Sequence, residues 1–220
     1  MLHATIADQL TKVRARIQLA AEKAGRLSTS IKLIAVGKTK SSSDIEAAYH
    51  AGQRRFAENY VQEGVDKVQS LTHLKDIEWH FIGELQSNKT RLVAEHFHWV
   101  QSIDRIRIAK RLNDQRPNEL PPLQVLIQLN IDDEATKAGI SLAELADFVT
   151  ALSELPRLQL RGLMIIPMAN PTMEQQAATL SQCQQVFEVL QQQLPRIDTL
   201  SVGMSSDLEA AIEHGSTMVR

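Results

Sequence analysis

Cysteine is almost missing from this chain: Cys183 is the single one in 220 residues. That excludes an intramolecular disulfide framework and fits a reducing compartment. No group of Cys and His has the spacing of a structural zinc site. His96 and His98 flank Phe97 and read as exposed residues near a strand start, not as ligands. An excess of charge is missing too. The formal net charge of -2 does not provide the clustered basic face of a nucleic-acid binder. No run approaches the ~20 apolar residues that cross a bilayer. Asp8, Lys12, Arg14 and Arg16 leave the N-terminus without the apolar core of a signal peptide. These absences leave a cytoplasmic globule that engages neither nucleic acid nor membrane. Its 43% hydrophobic residues suffice for a core, and without a large exposed apolar stripe a monomer is expected.

What is present is an alternation. Ile6, Leu10, Val13, Ile17, Ala20 and Ala24 recur at three- and four-residue steps, which predicts an amphipathic helix, and Gly25 is placed to end it. From Ile31 the pattern becomes strand, loop, helix, repeated. Strands are predicted at 32–36, 55–58, 79–82, 99–102, 123–130, 159–164, 199–202 and 217–220. Helices are predicted at 43–50, 60–71, 88–95, 105–113, 142–152, 173–194 and 207–214. Eight strands separated by helices predict an α/β fold, a single (β/α)8 TIM barrel with an extra N-terminal helix. An open doubly wound sheet is the alternative, but no Gly-x-Gly-x-x-Gly turn follows the first strand. Pro117, Pro121 and Pro122 stiffen a connection without marking a linker, and the Gln-rich stretch 182–193 keeps helical spacing at Val186, Phe187 and Leu190. One domain over 1–220 is expected. The last strand, with no helix after it, would leave an unpaired edge, so the natural C-terminus is expected to extend beyond 220.

Two segments carry chemistry. Lys38 closes the apolar run Ile31-Lys32-Leu33-Ile34-Ala35-Val36-Gly37-Lys38. Alternation puts it on the face of Ile34 and Val36, so an inward face leaves an amine at the barrel mouth. Ligands bind at that end in such folds, and a lysine amine can form a Schiff base with a carbonyl compound. The second segment, Ser201-Val202-Gly203-Met204-Ser205-Ser206-Asp207, opens a helix where barrels often hold phosphate. Ser206 with Glu209 fits a capping box, and Gly203 permits a tight turn. Arg220 ends the eighth strand, where a guanidinium can bind phosphate, face a ring nitrogen or make a rim ion pair. Other strand ends offer Glu58, Asn59, His80 and Met164. A buried histidine there is more often a satisfied core group, and a methionine more often packs.

Taken together these segments resemble the pyridoxal phosphate homeostasis proteins, the YggS/PROSC family. The matching stretches are Ala35-Val36-Gly37-Lys38-Thr39-Lys40, Glu58-Asn59-Tyr60-Val61-Gln62-Glu63, Trp79-His80-Phe81-Ile82-Gly83 with Leu85-Gln86-Ser87-Asn88-Lys89, Ser102-Ile103-Asp104, Gly162-Leu163-Met164, and Gly203-Met204-Ser205-Ser206-Asp207 through Gly215-Ser216-Thr217-Met218-Val219-Arg220. The resemblance implies a barrel like that of alanine racemase without its second domain. It implies pyridoxal 5′-phosphate as cofactor, held as an internal aldimine on Lys38. Ser205 and Ser206 match the phosphate-binding turn and Arg220 the arginine beside the cofactor. Asn59, His80, Met164, Ser201 and Gly203 complete the expected binding set. Three departures stand out. Gly37 replaces a frequent serine, which should loosen the backbone beside the lysine. Glu84 replaces a frequent proline, bringing a charge into a site-facing loop. The Ile-Gly-Thr-containing stretch that usually follows Arg220, and gives the phosphate backbone donors, is not in this sequence.

The family's implied role is buffering and delivery of the cofactor without robust catalysis. Partners are then pyridoxal phosphate-dependent enzymes or vitamin B6 salvage enzymes. An amino-acid racemase is the alternative. It needs an acid/base on each face of the substrate, and of the two tyrosines, Tyr49 and Tyr60, only Tyr60 lies near a strand end. A Schiff-base aldolase commonly carries its lysine on the sixth strand, where 159–164 has none.

Overall fold

The computed structural model describes residues 4–135 and 137–220. It opens with α1 (Ile6–Lys23), whose start is a reciprocal cap: the Asp8 N–H donates to Thr5 Oγ1 at 3.1 Å and the Thr5 N–H to Asp8 Oδ2 at 3.0 Å. Gly25, at φ 66°, ends the helix. The chain then enters β1 (Lys32–Leu33) and β2 (Ala35–Val36). These are two halves of one barrel strand that changes partner at Ile34. Then follow α2 (Ser42–His50), β3 (Arg55–Glu58), α3 (Val61–Ser70), β4 (Glu78–Phe81), α4 (Thr90–His96), β5 (Trp99–Ile103), α5 (Ile106–Gln115), β6 (Leu123–Gln128), α6 (Leu145–Ser153), β7 (Leu158–Met164), α7 (Met173–Gln193), β8 (Thr199–Ser201), α8 (Leu208–Glu213) and β9 (Met218–Val219).

All strand pairs are parallel and run in the order β1-β9-β8-β7-β6-β5-β4-β3-β2. Because β1 and β2 belong to one strand, the sheet returns on itself as an α/β TIM barrel, and an open doubly wound sheet is excluded. No edge is left at the last strand, contrary to expectation. The Lys32 N–H donates to Thr217 O and the Ile34 N–H to Val219 O, both at 2.8 Å, while the Val202 N–H donates to Met218 O on the other side. Two residues suffice because each neighbour supplies only a short ladder.

The outer face of this seam is covered by α1. Ile17, Ala20 and Ala21 pack with Ile31, Leu208, Ile212 and Val219 into a cluster of their own, each buried isoleucine or leucine being worth about 2 kcal/mol. Arg16–Glu209, Lys23–Glu213 and a bond from Arg26 to Ile212 O flank it. Inside the barrel, Ile34, Ala57, Trp99, Leu126, Met164 and Met218 pack together, with Val36 and Ile82 above them. The inward face expected for Ile34 and Val36 is therefore the face that leads to Lys38. No described helix is long and apolar enough to cross a membrane.

Candidate functional site

The carboxyl ends of the strands open into a cleft of ≈ 660 Å³, whose walls include Lys38, Asn59, Ile82, Ser205, Arg16 and Arg220. One arm of it runs outward between α1 and α2 over Leu10, Ile45 and Phe56. Lys38 is exposed and sits in a turn closed by the Lys40 N–H donating to Gly37 O at 2.9 Å. Thr39 has φ 63°, a left-handed conformation that costs a β-branched residue on the order of 1–2 kcal/mol. The chain thereby leaves the strand direction, so Lys40 reaches the cleft wall from the turn and does not continue the face of Lys38.

What holds this turn is a buried ion cluster that sequence reading missed. The Lys67 Nζ, on α3, donates to Gly37 O at 2.6 Å, to both Glu58 oxygens at 3.0 and 3.1 Å and to Glu63 Oε1 at 2.7 Å. Glu63 in turn accepts the Thr39 N–H at 2.8 Å. Both residues flanking Lys38 are thus tied to one ammonium. Burial pushes the Glu58 carboxyl up despite Lys67, while the hydrogen bond from Lys67 lowers Glu63. Gly37 does not loosen the backbone. It is buried, and a Cβ there would lie 2.3 Å from Glu58 Oε1 and 2.8 Å from Ile45 Cδ1. The missing side chain lets the strand approach the ion cluster, and both its N–H and C=O are bonded.

Opposite Lys38, the Arg220 guanidinium donates to Ser201 Oγ at 2.7 Å, to Ile165 O at 3.0 Å and to Met164 Sδ at 3.7 Å. Burial lowers its pKa to about 10, so it stays charged at neutral pH. Ser201 and Met164 lie beneath it, buried. His80 lies deeper still, fully buried and stacked on Trp99 at 5.1 Å. Asn59 Oδ1 is buried in the cleft wall and has no hydrogen-bond partner among the described residues. Gly203, at φ 109°, lets the turn pass within reach of Ala211, where a Cβ would stand 2.7 Å from that methyl group.

Ser205 lines the cleft and Ser206 is exposed beside it. The expected Ser206 capping box does not form: Asp207 is the N-cap of α8, and its Oδ1 accepts from the Met204 N–H at 2.7 Å. Glu209 is drawn away by Arg16, which also donates to Ser205 O at 2.9 Å. A helix 189 positions earlier therefore braces this turn. Glu84 faces a separate depression of ≈ 220 Å³ shared with Asn59, Tyr60 and Lys89, not the main cleft. Tyr60 is exposed in that depression and Tyr49 hydrogen-bonds Asp76 on the outside. His98 is exposed, as expected, with its Nδ1 accepting the Trp79 N–H at 2.9 Å, whereas His96 is half-buried against Leu92 O. Among the described residues no three His, Cys, Asp or Glu side chains converge as a metal site.

A parallel barrel with a lysine at the end of its first strand, an arginine at the end of its last and a braced turn between β8 and α8 defines a class. A profile of the alanine racemase N-terminal domain matches residues 9–220, and the chain belongs to that family. It is 58% identical over 217 residues to the protein of Escherichia coli K12 named pyridoxal phosphate homeostasis protein, covering 98% of this chain and 93% of that one. Within the barrel family, then, it is a member of the pyridoxal phosphate homeostasis proteins. PipY of Synechococcus elongatus PCC7942, solved with pyridoxal phosphate bound, superposes with a TM-score of 0.85 at 37% identity over 98% of this chain and 97% of its own. Alanine racemase of Streptomyces coelicolor shares the fold, with a TM-score of 0.75 at 17% identity, and this chain spans 56% of it.

Proposed function

We propose that this protein binds pyridoxal 5′-phosphate in the cleft, covalently through Lys38, and buffers or delivers it inside the cell. The observation that carries the reading is the whole-chain likeness to PipY, solved with that cofactor, together with an exposed amine on the cleft wall. The residues fit the group. Arg220 is a half-buried cation facing an open volume, Asn59 Oδ1 is an acceptor without a partner among the described residues, and Ser205 with the Arg16–Glu209 pair forms a polar corner. The cofactor supplies an aldehyde, with which a lysine amine condenses. Lys38 bonds it, Arg220 and Asn59 orient it, and the Ser205–Ser206 turn holds its phosphate. Met164, Ser201, His80 and Gly203 support that set from beneath.

Delivery requires exchange, and the cleft opens directly to solvent at Lys38. We assign the protein to the cytoplasm as a monomer, with pyridoxal phosphate-dependent or vitamin B6 salvage enzymes as its donors and acceptors. Racemase chemistry is the second reading, favoured by the shared fold. The tyrosine weighed for its second base, Tyr60, lines the neighbouring depression and not the cleft. The test is the absorption spectrum with added pyridoxal 5′-phosphate, followed by borohydride reduction and peptide mapping. An adduct on Lys38 supports the proposal, and one scattered over surface lysines refutes it. Cofactor-dependent interconversion of D- and L-amino acids well above background would establish the racemase instead.

A further inference from the structure

Beneath the cleft, the barrel interior holds a line of polar side chains where such folds usually stack branched aliphatics. Ser201 Oγ, which accepts from Arg220 at 2.7 Å, stands 2.7 Å from Gln101 Oε1. Gln101 Nε2 stands 2.9 Å from His80 Nδ1 and 3.2 Å from Met218 Sδ. His80 Nε2 stands 2.9 Å from Glu78 Oε1, and Glu78 lies 3.3 Å from Arg55 at the opposite end of the barrel. Gln101, His80 and Ser201 are all fully buried.

The donors and acceptors admit one satisfied ordering. The Ser201 hydroxyl has a single proton, and the Gln101 carbonyl is the acceptor placed to receive it. The Gln101 amide then donates to His80 Nδ1, which must carry no proton. The His80 proton sits on Nε2 and is donated to Glu78. With the amide reversed, the Ser201 proton loses this acceptor and His80 needs a proton on Nδ1, which either turns a bare Nε2 lone pair on Glu78 or makes the ring an imidazolium. Burial opposes that charge, as do Arg55 and His98, with Glu78 as the opposing partner. Burial raises the Glu78 carboxyl, but the hydrogen bond from His80 and the charges of Arg55 and Lys32 hold it below the ordinary carboxylate range. An ionised anchor at the far end therefore polarises the whole line toward Arg220.

We propose that Gln101 is a positioning residue: backed by His80 and Glu78, it turns the Ser201 lone pair toward Arg220 and so fixes the guanidinium at the floor of the cleft. This rests on the cleft being the pyridoxal 5′-phosphate site, and it adds to that site two residues that never touch the cleft. In the protein without cofactor, imidazole nitrogen NMR of His80 reads a neutral ring protonated on Nε2 at pH 8. Proton exchange at the Arg220 Nη1 protons, which bond Ser201, accelerates about tenfold in Gln101→Leu, the factor for losing ~1.4 kcal/mol of ordering.

With cofactor, Gln101→Leu weakens pyridoxal 5′-phosphate binding about tenfold in the natural background and less than twofold in Arg220→Ala, because a residue acting through Arg220 then has nothing to act on. An equal loss in both backgrounds would reduce Gln101 to a packing residue and overturn the inference. A His80 ring protonated on Nδ1 overturns it on the wild-type protein even if the variant does not fold. Should the wild type take up no cofactor, the functional reading falls, while the His80 and Arg220 NMR measurements still decide the hydrogen-bond line.

Discussion

Replacing Lys67 by methionine keeps the bulk of the side chain and removes only its charge, leaving Glu58 buried with no cation. Glu58 is 0% exposed and both its oxygens face the lysine. Breaking such a pair typically costs ~3–5 kcal/mol. The carboxyl has one escape, which is to take up a proton. At pH 7 that costs about 1.4 kcal/mol for each of the roughly 2.7 pH units above an ordinary glutamate pKa, or about 3.7 kcal/mol in all. The expected destabilisation at pH 7 is therefore about 3–4 kcal/mol.

The sign of its pH dependence follows. Glu58 is already raised by burial in the presence of Lys67, and without the lysine its folded pKa lies further above the unfolded value. The stability of the protonated form is present below the unfolded pKa and is lost as pH rises through the folded one. The variant's deficit should shrink to about 1 kcal/mol near pH 5. Urea unfolding of Lys67→Met at pH 5, 6, 7 and 8 measures this. Glu58→Gln combined with Lys67→Met should recover most of the loss. A deficit independent of pH, or a double variant as unstable as the single one, would refute the buried-carboxylate reasoning.

Lys38→Ala should abolish the borohydride-trapped adduct at that position while changing unfolding free energy by less than about 0.5 kcal/mol, because the side chain is exposed. Any residual adduct should disappear in Lys38→Ala/Lys40→Ala, since Lys40 lines the same cleft. Arg16→Met removes a pair whose side chains are 39% and 44% exposed, so stability should fall by only about 0.5 kcal/mol. Pyridoxal 5′-phosphate affinity should fall more, and the deficit should narrow in concentrated salt. The Cys183 thiol, pushed up to about 12 by burial, should not react with a disulfide reagent at pH 8 until the protein is unfolded in urea.

The strands were legible because each is a short apolar run between polar turns, and alternation from Ile34 through Val36 was enough to point Lys38 at the mouth. Long-range partners were not legible. Gln101 lies 21 positions from His80 and 100 from Ser201, and nothing local in the Trp99–Ile103 strand distinguishes a glutamine that faces inward. Lys67 reads as part of a solvated helix face, and only its spacing of four from Glu63 hinted at a pair. Thr39 hid its positive φ because the usual markers of that conformation, glycine and asparagine, are absent there. The Ser206 box failed for a related reason: Glu209 has a better partner in Arg16, 193 positions away.

The seam between α1 and α8 sets an order of events during synthesis. Helix α1 leaves the ribosome long before its partners Leu208, Ile212 and Val219 are made. At ~5–20 residues per second the 193 positions between Arg16 and Glu209 represent a wait of roughly 10–40 s. Throughout that time Ile17, Ala20 and Ala21 have no wall to cover. An early segment is therefore late to dock, and the nascent chain carries an uncovered apolar face until β9 closes the ring.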